Sequence, residues 1–379
     1  MSESVDIKFT DSLRAWLERR PCEVAVWIAY RAAARVLPVW WDGVLSDTLA
    51  RKRRLTALPV LRSTLISSVA VKSPTDAINA AIVDATRAAS TVPVDRAIHA
   101  ADSAAHAANA AAANNADFAA DAADACGLAA LAISAKVSWP AVRADVNVVA
   151  DGEFPDARPL WQEGAGPLAE QWRAIKWQVD QSEGAGDWQF WIAWYDALLE
   201  GRPMLADAGR TWEMLEEIAL INPEIWGEGP EVVNPVIRGI WELHRLRAEV
   251  AALQAEKEMF LAVQASAAHR GHNQPPEGLV DDAPEVARQI IIIWDGLDEA
   301  RDELERDAPD KGVLCAIAER MLAALNAVVA YCGKVGDRMI MAVAATIGTG
   351  GGAALLDHFV INGRLSQFVK DLISFGIGG

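Results

Sequence analysis

Between Ala97 and Lys136 alanine dominates the chain, with runs at Ala110 to Ala113 and at Ala119-Ala120. Alanine has the highest helix propensity, yet its methyl group buries little area. Helices built this way gain little alone and must pack through close backbone approach. Strand signals are nearly absent elsewhere, so the expected fold class is mainly α: an irregular helical bundle with a separate C-terminal helical tail.

At 379 residues the chain has room for two domains of ordinary size. A net charge of −17 argues against nucleic acid as a partner, because phosphate binding needs clustered Lys and Arg. Arg51-Lys52-Arg53-Arg54 is the one basic run; contact with phosphate or anionic lipid headgroups is one reading of it, and a solvated helix end or loop is the better one. Cys22, Cys126, Cys315 and Cys332 form no CxxC pair, so neither a zinc site nor a disulfide framework is expected. They read as small apolar residues of a reducing compartment. Met1 to Thr10 has no basic region leading into an apolar core, so an ordinary signal peptide is not expected and the cytoplasm is.

Helix signals recur along the body. Pro21 to Leu37 carries Val24, Trp27, Ile28 and Arg31 at three- and four-residue spacings. A second helix is expected over Thr56 to Val71, with a restart at Ser73-Pro74. Asp117, Asp121 and Asp124 fall in one column at i, i+4 and i+7. Without a fourth ligand or a Gly-bearing loop, a solvated face is the better reading of them than a metal site.

Tryptophan is dense between Trp139 and Trp241. Trp188, Trp191 and Tyr195 share one helix face, with Trp194 beside them. Such a group either forms an aromatic cage for a partner or ligand, or packs in the core, which is the default at helical spacing. Leu243, Leu246, Val250, Leu253, Lys257 and Phe260 then make an a/d seam. Lys257 on that seam disfavours a tight dimer, so an intramolecular bundle helix is expected. Ala267 to Gly278 has adjacent prolines and no periodicity, which marks a linker. His269 and His272 within it are too few to make a metal site. Three parts follow: an Ala/Trp-rich helical body at 1–266, a linker at 267–283 and a C-terminal helical domain at 284–379. Within the last, Asp295, Asp298, Glu299, Asp302, Glu303, Glu305 and Asp307 are spread round their helix and read as solvated, while Leu314, Ile317, Met321, Leu325, Val328 and Cys332 form a stripe expected to be buried.

Met339 to Leu356 is an uncharged run of the minimum length for a membrane span. Its glycines weaken the helix, which leaves insertion of a single copy near balance and fits conditional insertion or association of several copies. Ala344, Gly348 and Gly352 present a small-residue, GxxxG-type face for helix contact. After it, Phe359, Leu365, Phe368, Val369, Leu372 and Ile373 lie on one side of an expected helix, the pattern of a helix at a membrane interface. The alternative is a hydrophobic hairpin folded onto the soluble body. Gly348 to Ala353 also satisfies GxGxxA, but no adequate strand follows Asp371, so no dinucleotide cofactor is expected.

Two blocks carry a resemblance. Trp188-Gln189-Phe190-Trp191-Ile192-Ala193-Trp194-Tyr195-Asp196-Ala197-Leu198-Leu199-Glu200-Gly201, followed by Ile225-Trp226 and Val233-Asn234, is one; Gly271-His272-Asn273-Gln274-Pro275-Pro276-Glu277 is the other. From Pro21 to Glu277 the chain resembles a loosely defined group of uncharacterised bacterial proteins that join an Ala/Trp-rich helical module, a GHNxPPE-type linker and a variable C-terminal part. Some of these carry TIR-like or membrane parts among suspected phage-defence genes. The resemblance implies no catalytic residues, and this chain has no recognisable TIR segment, so NAD consumption is not carried over. No Ser/His/Asp, Cys/His, P-loop or metal constellation is present, so no catalytic residue, cofactor or metal is assigned. The expectation is an effector-like protein. Its body senses a protein partner, and its tail joins the inner membrane lipid as a homo-oligomer, in phage defence. The alternative is a soluble helical scaffold whose apolar tail packs in its core or in a dimer interface.

Overall fold

A computed structural model describes residues 7–48, 52, 55–89, 98–112, 117–150, 158–162, 164, 166–181, 188–268, 283–335 and 363–377. Among these residues most of the chain is helical, without a strand. In order the helices are α1 (Thr10–Leu17), α2 (Cys22–Ser46), α3 (Leu58–Lys72), α4 (Asp76–Ala89), α5 (Ile98–Ala111), α6 (Phe118–Ala132), α7 (Ala135–Val149) and α8 (Ala169–Asp180). They continue with α9 (Gln189–Glu200), α10 (Ala208–Ala219), α11 (Pro223–Gly227), α12 (Pro230–Ala268), α13 (Ala283–Leu304), α14 (Lys311–Val335) and α15 (Arg364–Ile377). The chain forms two compact units, Met1–Trp241 and Glu242–Gly379.

The first unit is built round α2, whose residues from Val24 to Pro38 are buried on every side. A helix apolar all round belongs inside a protein, and α2 packs against α3, α5, α6, α7 and α8. It does not stop at Leu37 as its sequence pattern implies, but runs through Pro38 to Ser46. An interior proline costs about 3 kcal/mol. Full burial of Trp40, Trp41 and Val44 beyond it offsets that loss, since each large apolar side chain contributes roughly 1.5–3 kcal/mol.

The alanine tract becomes α5 and α6, which pack on each other and on α2. Ala104, Ala107 and Ala108 of α5 and Ala122, Ala123 and Ala125 of α6 are fully buried. Small side chains let the backbones meet. The Ser63 hydroxyl on α3 donates to the Ala104 carbonyl at 3.0 Å, and Ser103 on α5 donates to the Ala125 carbonyl at 2.8 Å. Each serine reaches the main chain of its neighbour helix, which a larger intervening side chain would prevent.

In the second unit the C-terminal part of α12 packs with α13, α14 and α15 around one apolar core. Leu246, Val250 and Leu253 of the seam join Leu297, Leu314, Met321 and Phe368 there. Within the seam Lys257 makes an intramolecular pair, its Nζ 2.7 Å from Asp298, and the Phe260 side chain lies outside the described residues. The seam is thus a bundle helix. The division between the two compact units falls inside α12 at Trp241–Glu242, because the seam residues belong to the second core. The stripe on α14 is buried at Leu314, Ile317, Met321, Leu325 and Val328, while Cys332 lies outside the described side chains. Two of the acidic residues expected to be solvated are structural. Asp298 holds Lys257, and Glu303, only 4 % exposed, accepts the Asp310 amide at 2.7 Å. Arg247 donates to the carbonyls of Leu304 and Arg306 and so closes the C-terminal end of α13.

Enlarging a packed alanine tests this account. Ala108→Leu should lower unfolding free energy by about 1–3 kcal/mol in urea denaturation, whereas Ala251→Leu on the exposed side of α12 should change it by less than about 0.5 kcal/mol.

Candidate functional site

In the first unit, chemistry concentrates around a carboxylate that composition alone does not mark. Asp145 sits on the inner face of α7 among Val142, Val146 and Val149 and is 1 % exposed. Arg31 and Arg35, one turn apart on α2, reach it from the central helix. Arg31 Nε lies 3.1 Å and Arg35 Nη2 2.5 Å from Asp145 Oδ2. Arg158 Nε approaches Oδ1 at 3.7 Å. Three guanidinium groups therefore face one carboxylate.

The remaining donors of the two arginines are satisfied mainly by main chain. Arg31 donates to the carbonyls of Arg158 and Pro159 at 3.0 and 2.5 Å, and Arg35 donates to that of Leu160 at 2.8 Å. That segment is held in turn by α9: the Leu160 amide donates to the Leu198 carbonyl at 3.2 Å. Gly201 closes α9 at φ +64°, and a Cβ there would fall 2.1 Å from the Pro159 nitrogen. Only glycine permits both the left-handed turn and the close crossing of residues 158–160.

Aromatic rings cover the arginines. The Arg31 guanidinium lies 4.7 Å from the Trp27 ring centre, and that of Arg35 lies 5.5 Å from Trp161. Burial works against both charges. At Arg35 burial prevails and its pKa falls below the usual arginine value; at Arg31 Asp145 and Tyr30 outweigh burial and raise it. Arg35 Nη1 is buried without a hydrogen-bond partner. The nearby Cys126 thiol is pushed up to about 12 by burial, so it stays protonated and packs as an apolar group.

Beside this cluster lies a cavity of about 70 Å³, walled by α2, α3, α9, α10 and the loop after α9. Arg31, Lys72, Arg158 and Arg202 supply cations to its lining, and Trp27, Tyr30, Trp194 and Trp212 supply rings. Among the described residues no carboxylate lines it. A wider groove of about 490 Å³ is lined by Trp161, Trp172, Lys176 and Asp196, where Asp196 accepts from Trp172 Nε1 at 2.7 Å and from Lys176 at 3.2 Å.

The aromatic group picked out from the sequence is not an open cage. Trp191, Trp194 and Tyr195 are at most 1 % exposed, and Trp188 is half-buried with its ring centre 5.4 Å from that of Trp41. Trp191 packs edge-on to Phe190 and Trp194 and donates its Nε1–H to the buried Asn234 side chain at 3.0 Å. Hydrophobic burial of large rings wins over ligand access here. Only Trp194 of the four reaches the cavity wall. In the aspartate column, Asp121 engages His106 Nδ1 at 3.0 Å, and that hydrogen bond raises the histidine's pKa. Among the described residues no group of three or more His, Cys, Asp or Glu is placed to hold a metal ion.

At the C-terminus, Leu365, Phe368, Val369 and Leu372 are at most 1 % exposed, and Ile373 packs beside them against the core of the second unit. The face expected at a membrane interface is thus occupied by protein, because α12, α13 and α14 offer it an apolar seat. Met339 to Leu356, including Ala344, Gly348 and Gly352, lies outside the described residues, as do Phe359, His269, His272 and all of Arg51–Arg54 except Lys52. The residues that sequence reasoning missed are Asp145, Arg35, Arg158 and Asn234. Arg31 and Arg35 carried a signal, since two arginines spaced i, i+4 inside an otherwise apolar helix require a buried counter-charge.

Comparison with family models, curated proteins and solved structures returns no match for this chain. Its function must therefore be argued from its own geometry.

Removing one partner of a buried ion pair strands the other. Asp145→Asn should destabilise the first unit by about 3–5 kcal/mol, read as an earlier midpoint in urea denaturation followed by tryptophan fluorescence.

Proposed function

We propose that this protein is a helical interaction scaffold of two units, with α15 folded into the core of the second. The observation that carries the reading is the burial of Leu365, Phe368, Val369 and Leu372. Four such side chains contribute roughly 6–12 kcal/mol before the entropy of ordering the helix is subtracted. Charged pairs fasten the rim: Arg364 with Glu249 and Glu256, and Arg245 with Asp371 at 2.6 Å. Exposed pairs of this kind add little to stability but fix the register of the helix. A helix seated this firmly behaves as part of a bundle. No reaction is assigned to the protein.

A second reading keeps membrane association. It is favoured by Lys311–Ala330 of α14, the one helix among the described residues long and apolar enough to cross a bilayer, with a mean hydropathy of 1.8. In that reading a partner or an assembly of several copies releases α15, and the apolar faces of α14 and α15 exchange the bundle core for lipid. The release must repay the burial just described, so it is conditional. A phage-defence role at the inner membrane belongs to this second reading and draws on the sequence resemblance.

Flotation with liposomes separates the two, using the full chain and a chain ending at Asn362, which lacks α15. The scaffold reading predicts that the full chain stays with the soluble fraction and that the shorter one loses helicity or precipitates, because its core is opened. Flotation of the full chain, abolished in a shorter chain that remains folded, establishes the membrane reading instead.

A further inference from the structure

The cavity of the first unit has a charge that the rest of the protein does not lead one to expect. In a chain of net charge −17, it is lined by Arg31, Lys72, Arg158 and Arg202, and among the described residues by no acidic side chain. Arg31 and Arg158 of this lining share with Arg35 the single carboxylate of Asp145, which leaves a surplus of two positive charges, with Arg31 and Arg35 buried and Arg158 partly exposed. Unpaired buried charge is expensive, and a counter-ion in the cavity relieves it. A carboxylate ligand brings one negative charge; a phosphate monoester brings close to two at neutral pH.

The walls narrow the choice further. Trp212, half-buried, offers flat apolar surface, and Trp194 Nε1 is a buried donor without a hydrogen-bond partner. Lys72 lies over the Trp212 ring, 5.8 Å from its centre, so charge and aromatic face meet at the mouth. Arg202 is engaged only by Glu200 and its own neighbour Pro203, an exposed pairing that a ligand can replace at little loss. The space of about 70 Å³ holds a few water-sized groups, enough for a phosphoryl head but not for a polymer. Nucleic acid is disfavoured further by the chain's overall negative charge.

We infer that this cavity binds a small phosphorylated molecule with a flat apolar body. Its phosphate lies among Arg158, Lys72 and Arg202 in front of Arg31, and its body rests along Trp212. Arginine forks and a lysine point charge are the groups suited to such an anion.

Phenyl phosphate is the probe, titrated into the full-length protein with tryptophan fluorescence and isothermal calorimetry as readouts. Saturable binding is expected, tighter than that of benzoate by at least about tenfold and weakening as pH falls through about 6, where the ester takes up its second proton. Lys72→Gln and Arg158→Gln should each weaken it by at least about tenfold. Lys72 lies at the end of α3, outside the Asp145 cluster, so its variant keeps the test valid if Arg158→Gln fails to fold. Absence of saturable binding by the wild-type chain overturns the inference. So do equal affinity for benzoate, unchanged affinity in a folded Lys72→Gln variant, and tighter binding of a single-stranded oligonucleotide.

Discussion

Asp145 meets Arg31 and Arg35 in a place that almost no water reaches, and the architecture of the first unit follows from that meeting. A buried charge is tolerated only where it is paired and hydrogen-bonded. This requirement fixes the rotation of α2, which must present one side to α7. It fixes α7, which must set Asp145 opposite two consecutive turns of α2. It also fixes residues 158–160, whose carbonyls take three further guanidinium donors. Gly201 is drawn into the same constraint, because α9 must end in a left-handed turn for that segment to pass. Such a cluster contributes less to net stability than an apolar core of equal volume. Its effect is to make alternative packings costly.

The second unit rests on a different principle. Its core is a set of interlocking aliphatic residues with Met321 and Phe368 as its larger members, and its charged pairs lie at the rim. Lys257 is the exception, half within the core and tied to Asp298. The two units therefore respond to solvent differently. Salt screens the rim pairs of the second unit while leaving its core intact, whereas the shielded pairs of the first are screened far less. The burial of α15 gives the protein a stored apolar surface, and whatever displaces that helix must offer it a comparable environment.

Much of the fold was legible because helix periodicity is a local signal. The seam from Leu243 to Leu253 and the stripe from Leu314 to Val328 both face the core their spacing implies. The alanine tract announced close packing, and the serine hydroxyls that reach neighbouring carbonyls show how close. Pro38 misled because burial of residues beyond it outweighs its local penalty, and burial is not written in the propensity of any one residue. The division between the two compact units was not legible, because a change of packing partner inside the continuous helix α12 leaves no mark in composition. The candidate site was nearly invisible. Its carboxylate lies 114 residues from Arg31 and 110 from Arg35, and no spacing rule links side chains so far apart. The tryptophans drew attention to the correct region but for their number, whereas the cavity depends on the cations between them.

Native-state hydrogen exchange on the full-length protein tests the organising role of the Asp145 cluster most directly. The account predicts that amides of α2 between Val24 and Leu37, those of α7 around Asp145 and the amide of Leu160 exchange at one common free energy, the highest in the first unit. Opening of α7 or of residues 158–160 at a distinctly lower free energy than α2 would contradict it, and would reduce the cluster to a local contact.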